Sequence, residues 1–208
     1  DHDRNNAEKS NPELIKINTE KHLKGDKGTD LFGKTDAFCA LIGRKHEPSL
    51  FYGGESIEAT LAESAYYRFV FLLAMTGSLP LSDSTPAYPV YHRIQGQRGI
   101  QLQHPPFDAH ADQLTYPRGY APSQALGSEM REAGVEAFQY PPARSMQSGV
   151  CAALYTAASF TNTQPDTTAQ WLCELTTTRV TFKAVASPRT YHYPLSQFAV
   201  DGKFPLPA

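Results

Sequence analysis

The carboxylate with the clearest chemical potential in this chain is Glu63, which lies in an apolar stretch between Ala62 and Ala65. A carboxylate beside low-dielectric walls resists ionisation unless a cation pairs with it. Glu63 therefore either forms a structural ion pair, with Arg68 or another base, or acts on a bound ligand. The spacing alone favours the ion pair, and both alternatives stay open at this point.

Tyr52 is a second candidate, because it ends a short apolar run just before Gly53 and Gly54. A tyrosine in that position can stack on a flat ring and still offer a hydroxyl to a ligand. Taken alone, a core aromatic is the simpler interpretation of this residue.

Sequence motifs for other kinds of site are absent. No glycine-rich dinucleotide loop follows a strand, and the chain lacks a phosphate-binding loop, a zinc-protease motif and a serine-hydrolase elbow. The histidines do not cluster at metal-ligand spacing, and no two cysteines are separated by two residues. We therefore expect no metal, and we interpret Cys39, Cys151 and Cys173 as reduced structural thiols.

Length and composition indicate one globular domain. The chain has 208 residues, of which 40% are hydrophobic and 19% are charged, as in ordinary folded domains. The net charge of −2 gives no basic surplus of the kind that marks a nucleic-acid partner. The longest apolar run, around residues 69–75, is too short to span a bilayer, so we expect no membrane segment.

Two segments carry helical signals, and the first one holds Glu63. Ser56 is a good N-cap, apolar residues then recur at spacings of three and four, and a glycine and a proline stop the pattern. This predicts a helix over about residues 57–75. A second helix is predicted over about residues 123–133, with Gly134 as its C-terminal stop.

Strands and loops surround these helices. Short apolar or alternating runs predict strands at residues 49–52, 88–94, 99–102, 137–140, 149–155 and 179–185. Stretches rich in turn-forming or charged residues predict loops at residues 24–36, 78–89 and 105–113. Because strands and helices do not alternate, the sequence predicts an α+β fold. We expect residues 1–30 to be loosely ordered and residues 31–208 to form a single domain.

Two stretches carry a distinctive order of sequence blocks. The first contains Glu47-Pro48-Ser49-Leu50-Phe51-Tyr52 and Leu61-Ala62-Glu63-Ser64-Ala65-Tyr66-Tyr67-Arg68. The second contains Tyr120-Ala121-Pro122-Ser123-Gln124-Ala125-Leu126-Gly127 and Tyr140-Pro141-Pro142-Ala143-Arg144. In content, order and spacing these blocks resemble the RES-domain family, in which a tyrosine ends a strand and a glutamate follows on the next helix. The likeness covers residues 31–185, which is most of the chain.

This resemblance implies a fold related to ADP-ribosyltransferases, with short strands in a split sheet core and a few helices. It implies NAD⁺ as the substrate and cleavage of the bond between nicotinamide and ribose. Members of the family are toxins, and the partner it implies is an antitoxin or immunity protein. The resemblance places the chain in the bacterial cytoplasm, or in a target-cell cytoplasm after delivery.

The resemblance also implies roles for particular residues. Cleavage at the ribose passes through an oxocarbenium-like state, so a carboxylate near the ribose can stabilise the developing positive charge. We assign that catalytic role to Glu63 and stacking on nicotinamide to Tyr52. The pyrophosphate needs a cation, and the candidates are Lys34, Arg44 and Arg144. For Arg144, a fold-stabilising ion pair is an equal alternative.

The chain departs from the family pattern at two positions. The family's N-terminal arginine has no clean positional match, so Lys34 or Arg44 has to supply that charge. The serine of the family's Tyr-Pro-Ser-Ala-Arg block is replaced by Pro142, which offers neither a hydroxyl nor an N–H group. Ser145 and Ser148 follow closely and are the candidates to stand in for it.

Three activities stay open on these grounds. The chain is a divergent NAD⁺ hydrolase, an enzyme that transfers ADP-ribose to a protein, or a degenerate member that only binds NAD⁺ or a partner. Convergence of Tyr52 and a cation on Glu63 in one cleft favours an enzyme. A pair between Glu63 and Arg68 away from any pocket favours the binding module.

Overall fold

The structure is a computed structural model that describes residues 13–18, 42, 47–48, 50–75, 82–95, 97–144 and 149–206. The helices in these ranges are α1 (Ile57–Ala74), α2 (Ala111–Leu114) and α3 (Ala121–Glu132). The strands are β1 (Glu13–Asn18), β2 (Phe51–Gly54), β3 (Ser82–Arg93), β4 (Gly99–Gln101), β5 (Ala137–Tyr140), β6 (Cys151–Leu154), β7 (Thr167–Thr168), β8 (Trp171–Thr176), β9 (Arg179–Ala184) and β10 (Thr190–Pro194).

The strands form one mixed sheet with the order β10-β9-β8-β3-β1-β2-β6-β5-β4, and β7 pairs with β3 off this path. The pair β4–β5 is parallel, and the other neighbours are antiparallel. Strand β3 joins the two parts of the sheet, because residues 82–87 pair with β8 and residues 88–93 pair with β1. A mixed sheet with few helices confirms the α+β prediction.

Helix α1 packs along one part of this sheet. Its residues Leu61, Ala65 and Phe69 are fully buried, and they share a core cluster with Val180 and Phe182 of β9. Burying a large apolar side chain contributes about 1.5–3 kcal/mol, so this stripe fixes the rotation of α1 about its axis. A second cluster lies between α3 and strands β2, β5 and β6.

The ends of the two long helices follow local rules. The Ser56 side chain accepts a hydrogen bond of 3.1 Å from the backbone N–H of Ala59, which starts α1 where the N-cap predicted. Helix α3 begins at Ala121, two residues before its predicted start, because Pro122 is tolerated in a first turn whose N–H groups need no helical partner. Gly134 follows α3 with a φ of 71°, a conformation that suits glycine.

The predicted loop at residues 78–89 is wrong for its described part, which belongs to β3. Pro86 lies in the half of β3 that pairs with β8, and Pro89 lies in the half that pairs with β1. Among the described residues, each of these prolines is paired on one side only, and the open side of a strand tolerates a residue that has no N–H group. Composition predicted a loop because it could not anticipate this division of β3 between two partners.

Three smaller predictions also need correction. The predicted loop at residues 105–113 contains a 3₁₀ turn at Phe107–His110 and the start of α2. The first predicted strand is displaced, since β2 continues through both glycines and pairs them with Ala152 and Cys151. Four strands, β1, β7, β8 and β10, lie outside all the predicted ones.

Strand β1 lies inside residues 1–30, the segment expected to be loosely ordered, and it pairs with β3 and β2. The domain boundary near residue 31 stays a prediction. Cys151 and Cys173 are buried free thiols, as predicted, and Cys39 lies outside the described residues. Across the described ranges, we find no helix that combines the length and the apolar character needed to cross a membrane.

Candidate active site

Helix α1 presents Glu63 at its second turn, toward the part of the sheet formed by β2, β6 and β5. The side chain is partly buried, and its helical neighbours Ala62 and Tyr66 are almost completely buried. Glu63 thus combines close protein surroundings with some access to solvent, which is a setting that suits a reactive carboxylate.

The strand register lines up several polar side chains on a single face of the sheet. Cys151 of β6 lies opposite Gly54 of β2 and opposite Tyr140 of β5. Tyr52 lies two residues before Gly54, and alternate residues of a strand share a face. Tyr52, Tyr140 and Cys151 accordingly pack in one cluster, beneath the first turns of α1.

A glycine brings α1 close to this face. The N–H of Gly54 donates a hydrogen bond of 3.1 Å to Oγ1 of Thr60, and a Cβ at position 54 would lie 2.7 Å from the same oxygen. No larger residue fits between the strand and the helix without a shift. The approach places Glu63, one turn after Thr60, over the aligned side chains.

The surroundings of Glu63 change its ionisation. Burial raises the pKa of its carboxyl from 4.5 to about 7, and the charge of Arg144 and a hydrogen bond from the Arg144 backbone N–H act in the opposite direction. Desolvation outweighs the cation here, so the carboxyl is divided between its protonated and ionised forms near neutral pH. Such a group can accept or release a proton at physiological pH.

The tyrosines and the thiol that face Glu63 remain neutral near pH 7. Burial raises the pKa of the Tyr67 and Tyr140 hydroxyls well above the usual value, and Glu63 adds to both increases. Burial, with a further contribution from Glu63, also raises the pKa of the Cys151 thiol. Because Tyr52 acts on the pKa values of both Tyr67 and Tyr140, it belongs to the same cluster.

Arg144 is the cation of this cluster, and it is only 7% exposed. Its guanidinium lies 3.8 Å from the centre of the Tyr66 ring. It donates a hydrogen bond of 2.6 Å to the Tyr120 hydroxyl and one of 3.5 Å to the Pro117 carbonyl. These contacts hold Arg144 within the fold, while a fold-stabilising ion pair and a contact with pyrophosphate both stay predictions.

Arg68, the other base considered for Glu63, has a different neighbour. Its guanidinium lies over the Phe182 ring at 5.6 Å from the ring centre, on the side of α1 that faces β9. The cation that lowers the pKa of Glu63 is Arg144. The structure therefore brings Glu63, Tyr52 and Arg144 together, whereas Lys34, Arg44, Ser145 and Ser148 lie outside the described residues.

Sequence reasoning missed the other members of the cluster. Tyr67, Tyr120, Tyr140 and Cys151 were noted only within family blocks or as core residues. The short apolar run at 137–140 predicted a strand, but it could not say which face of β5 would meet α1. The adjacent pair Tyr66-Tyr67 was the one usable sequence signal for further members of the cluster. Adjacent residues on a helix point in different directions, so the two tyrosines contact different parts of the fold.

A small cavity lies behind Arg144. It has a volume of about 130 Å³ and is lined by Pro117, Ala143, Arg144 and residues 197–200. Ligand pockets for larger molecules usually hold about 300–1,000 Å³, so this cavity does not fit a dinucleotide. Within the described part of the chain, no group of three or more His, Cys, Asp or Glu side chains is arranged to hold a metal ion.

Comparisons with protein families and with solved structures both give matches. The family model described as RES domain matches residues 42–176. A chain in the crystal structure of the M. tuberculosis MbcT–MbcA toxin–antitoxin complex is structurally similar, with a TM-score of 0.51 and 12% sequence identity, over 79% of this chain and 84% of that one. None of the curated protein sequences matches significantly. At this identity the structural likeness shows the fold alone.

Proposed function

Because the chain belongs to the RES-domain family, we propose that it is a toxin-type enzyme that binds NAD⁺ and cleaves the bond between nicotinamide and ribose. The observation that carries this proposal is the partly buried Glu63 carboxyl, whose pKa is raised to about 7 among neutral tyrosines and beside Arg144. Strongly perturbed carboxyl groups of this kind are concentrated at functional sites.

The residue types suit the chemistry of this cleavage. When the C1′–N bond breaks, its electron pair leaves with nicotinamide and the ribose develops oxocarbenium character. The ionised form of Glu63, in surroundings of low polarity, stabilises that positive charge more strongly than it would in water. An oxygen of water or phosphate then forms the new bond at C1′.

The neighbouring aromatic side chains provide a surface for the flat nicotinamide ring. Tyr52 is partly exposed and lies in the same cluster as Glu63, so we assign it the stacking contact. Arg144, Arg44 and Lys34 remain the proposed cations for the pyrophosphate. For Arg144 this role would require its guanidinium to exchange its contacts with Tyr120 and Pro117 for phosphate oxygens.

A second candidate is a degenerate member that binds NAD⁺ or a partner without cleaving it. Two observations favour it, namely Pro142 at the family's serine position and the engagement of Arg144 within the fold. Transfer of ADP-ribose to a protein is the alternative outcome of the same bond cleavage.

The partner we propose is an antitoxin or immunity protein, with no direct role for nucleic acid or membrane. One similar solved structure is that of a toxin–antitoxin complex, and a toxin that consumes NAD⁺ in its own cytoplasm requires such a partner. We propose that the chain acts in a bacterial cytoplasm, either its own or that of a target cell.

The proposal is tested by incubating the purified chain with NAD⁺, with and without phosphate, and measuring free nicotinamide and the ribose product by chromatography. Release in both conditions identifies a hydrolase, and a requirement for phosphate identifies phosphate as the acceptor. Release only when cell lysate is added, with labelled ADP-ribose on a protein, identifies the transferase. If NAD⁺ raises the unfolding midpoint but no condition releases nicotinamide, the cleavage proposal is wrong and the binding module stands.

A further inference from the structure

Arg144 is held by two tyrosines that reach it from different elements. Its guanidinium stacks on the ring of Tyr66 from α1 and donates to the hydroxyl of Tyr120, the residue just before α3. A stack of this kind is strongest when the cation is desolvated, as the buried Arg144 is here. Arg144 in turn contacts the Glu63 carboxylate through its backbone N–H and its charge.

The hydroxyl groups form a chain with a defined direction. Tyr66 donates its one hydroxyl hydrogen to the carbonyl of Pro205 at 2.7 Å. The contact of 3.4 Å between the Tyr66 and Tyr120 hydroxyls can therefore only be donated by Tyr120, whose oxygen accepts from Arg144. At this length the hydrogen bond between the two hydroxyls is weak. The stack of the Arg144 guanidinium on the Tyr66 ring is therefore the main contact between Arg144 and Tyr66.

The other end of this chain is the C-terminal segment, which we define as residues 198–205. Phe204 stacks on the Tyr66 ring with 5.1 Å between ring centres and 21° between planes, and Phe198 contacts the same ring at 5.9 Å. An ion pair of 3.0 Å between Arg118 and Asp201 ties the segment to the loop before α3. Tyr66 is thus enclosed between Arg144 and the C-terminal segment.

We propose that Tyr66 is a positioning residue for Glu63, acting through Arg144, and that the C-terminal segment holds Tyr66 in place. The segment follows residue 176, where the match to the family ends, so the site of this chain is completed by residues outside the matched region. The catalytic importance of this arrangement rests on the proposed function, but the coupling of Tyr66 to the carboxylate does not.

The titratable groups around Glu63 make this coupling measurable. Those that face it are Tyr67 on α1, Tyr140 on β5, Cys151 on β6 and Arg144 after β5. The tyrosines and the thiol stay neutral at moderate pH because their pKa values are raised. Among the described residues Arg144 is then the charged group next to Glu63, so its displacement appears directly in the titration of Glu63.

The experiment is a carboxyl ¹³C NMR titration of the full chain labelled at glutamate, with Glu63 assigned by Glu63→Gln. Tyr66→Leu removes the stack and the hydroxyl, so Arg144 moves and the Glu63 midpoint rises by about one pH unit. Tyr66→Phe keeps the ring and loses the bond to Pro205, so its shift is smaller and has the same sign. Phe204→Leu, which loosens the segment without touching Arg144, also shifts the midpoint upward.

Tyr193→Phe is the matched control. The Tyr193 hydroxyl donates to the backbone carbonyl of Glu58 on the same helix at 3.1 Å, and its loss lowers stability without moving the Glu63 midpoint. Unchanged midpoints in the folded Tyr66→Phe and Phe204→Leu proteins overturn the proposal, whether or not Tyr66→Leu folds. An equal shift in Tyr193→Phe also overturns it, because the effect would then be general loosening of α1.

An activity measurement separates this inference from the proposed function. If wild-type protein releases nicotinamide, the pH profile of kcat/KM moves upward in the Tyr66 variants by the same amount as the NMR midpoint. If wild-type protein releases none while the midpoints still shift, the proposed function fails and the coupling stands. Altered activity with an unmoved pH profile contradicts positioning through Arg144.

Discussion

At the scale of residues, the candidate site depends on one carboxyl group, that of Glu63, which desolvation keeps partly protonated at neutral pH. The sequence identified Glu63 because it lies among alanines and tyrosines, and it also raised Arg68 as a possible partner. Choosing between the bases required the tertiary structure, since Arg144 is 81 positions away in sequence. A contact over that distance is fixed by the pairing of β5 with β6 and has no local signal.

The raised pKa of Glu63 makes stability depend on pH in a defined direction. Between pH 4.5 and about 7, the folded chain keeps a proton on Glu63, whereas the unfolded chain releases it. The contribution of Glu63 to the free energy of unfolding is therefore complete below about pH 4.5 and is lost as the pH rises through about 7. The difference between the folded and unfolded pKa values of Glu63 corresponds to about 3 kcal/mol in the free energy of unfolding. We expect urea unfolding at a series of pH values to show this decline in wild type and a flatter curve in Glu63→Gln. Parallel curves would contradict the assigned pKa.

At the scale of elements, the sequence predicted what local patterns determine. Helix α1 follows from Ser56 and the apolar spacing after it, β5 follows from a short apolar run, and β9 follows from alternation. Strand β8 was missed because Leu172 is apolar yet 47% exposed, which disturbs the expected alternation. The prolines of β3 pointed to a loop, and only the division of its pairing between β8 and β1 shows why a strand accommodates them.

The contact between β2 and α1 gives a prediction at this scale. Gly54→Ala places a Cβ 2.7 Å from Oγ1 of Thr60 and 3.0 Å from its backbone nitrogen, so α1 has to shift. We expect a loss of about 1–3 kcal/mol in the free energy of unfolding, measured by urea denaturation. Gly99→Ala is the control, because its Cβ meets the Ala137 carbonyl at an ordinary 3.8 Å and should change stability by less than about 0.5 kcal/mol. Equal losses in both variants would refute the close approach.

At the scale of the whole molecule, the candidate site is assembled from segments that are distant in sequence. Strands β2 and β5 supply the tyrosines of the cluster and β6 supplies Cys151, α1 supplies the carboxylate, and the C-terminal segment encloses Tyr66. The sequence blocks indicated the family, which the match over residues 42–176 confirms. They did not indicate the role of the C-terminal segment, because its contacts with Tyr66 and Arg118 link residues that no periodicity connects.

Binding of NAD⁺ should stabilise the whole fold. A ligand that binds only the folded chain raises the free energy of unfolding by about 2.7 kcal/mol at a hundred times its Kd. We expect this rise in Glu63→Gln, which cannot consume the ligand during a thermal scan. Tyr52→Leu in that background should weaken binding about fivefold through the lost stacking, whereas Tyr116→Leu, at an exposed tyrosine, should not. No stabilisation at millimolar NAD⁺ would exclude the chain as an NAD⁺-binding protein.

The most direct test of the central claim is the rate of nicotinamide release from NAD⁺ by Glu63→Gln compared with Glu58→Gln. Both substitutions neutralise a carboxylate on the same helix, but Glu58 accepts a hydrogen bond from the Tyr191 hydroxyl and lies outside the cluster. The account predicts that Glu63→Gln loses a factor of at least about 100 in rate, while Glu58→Gln stays within about threefold of wild type. Equal rates in the two folded variants would show that Glu63 is not the catalytic carboxylate.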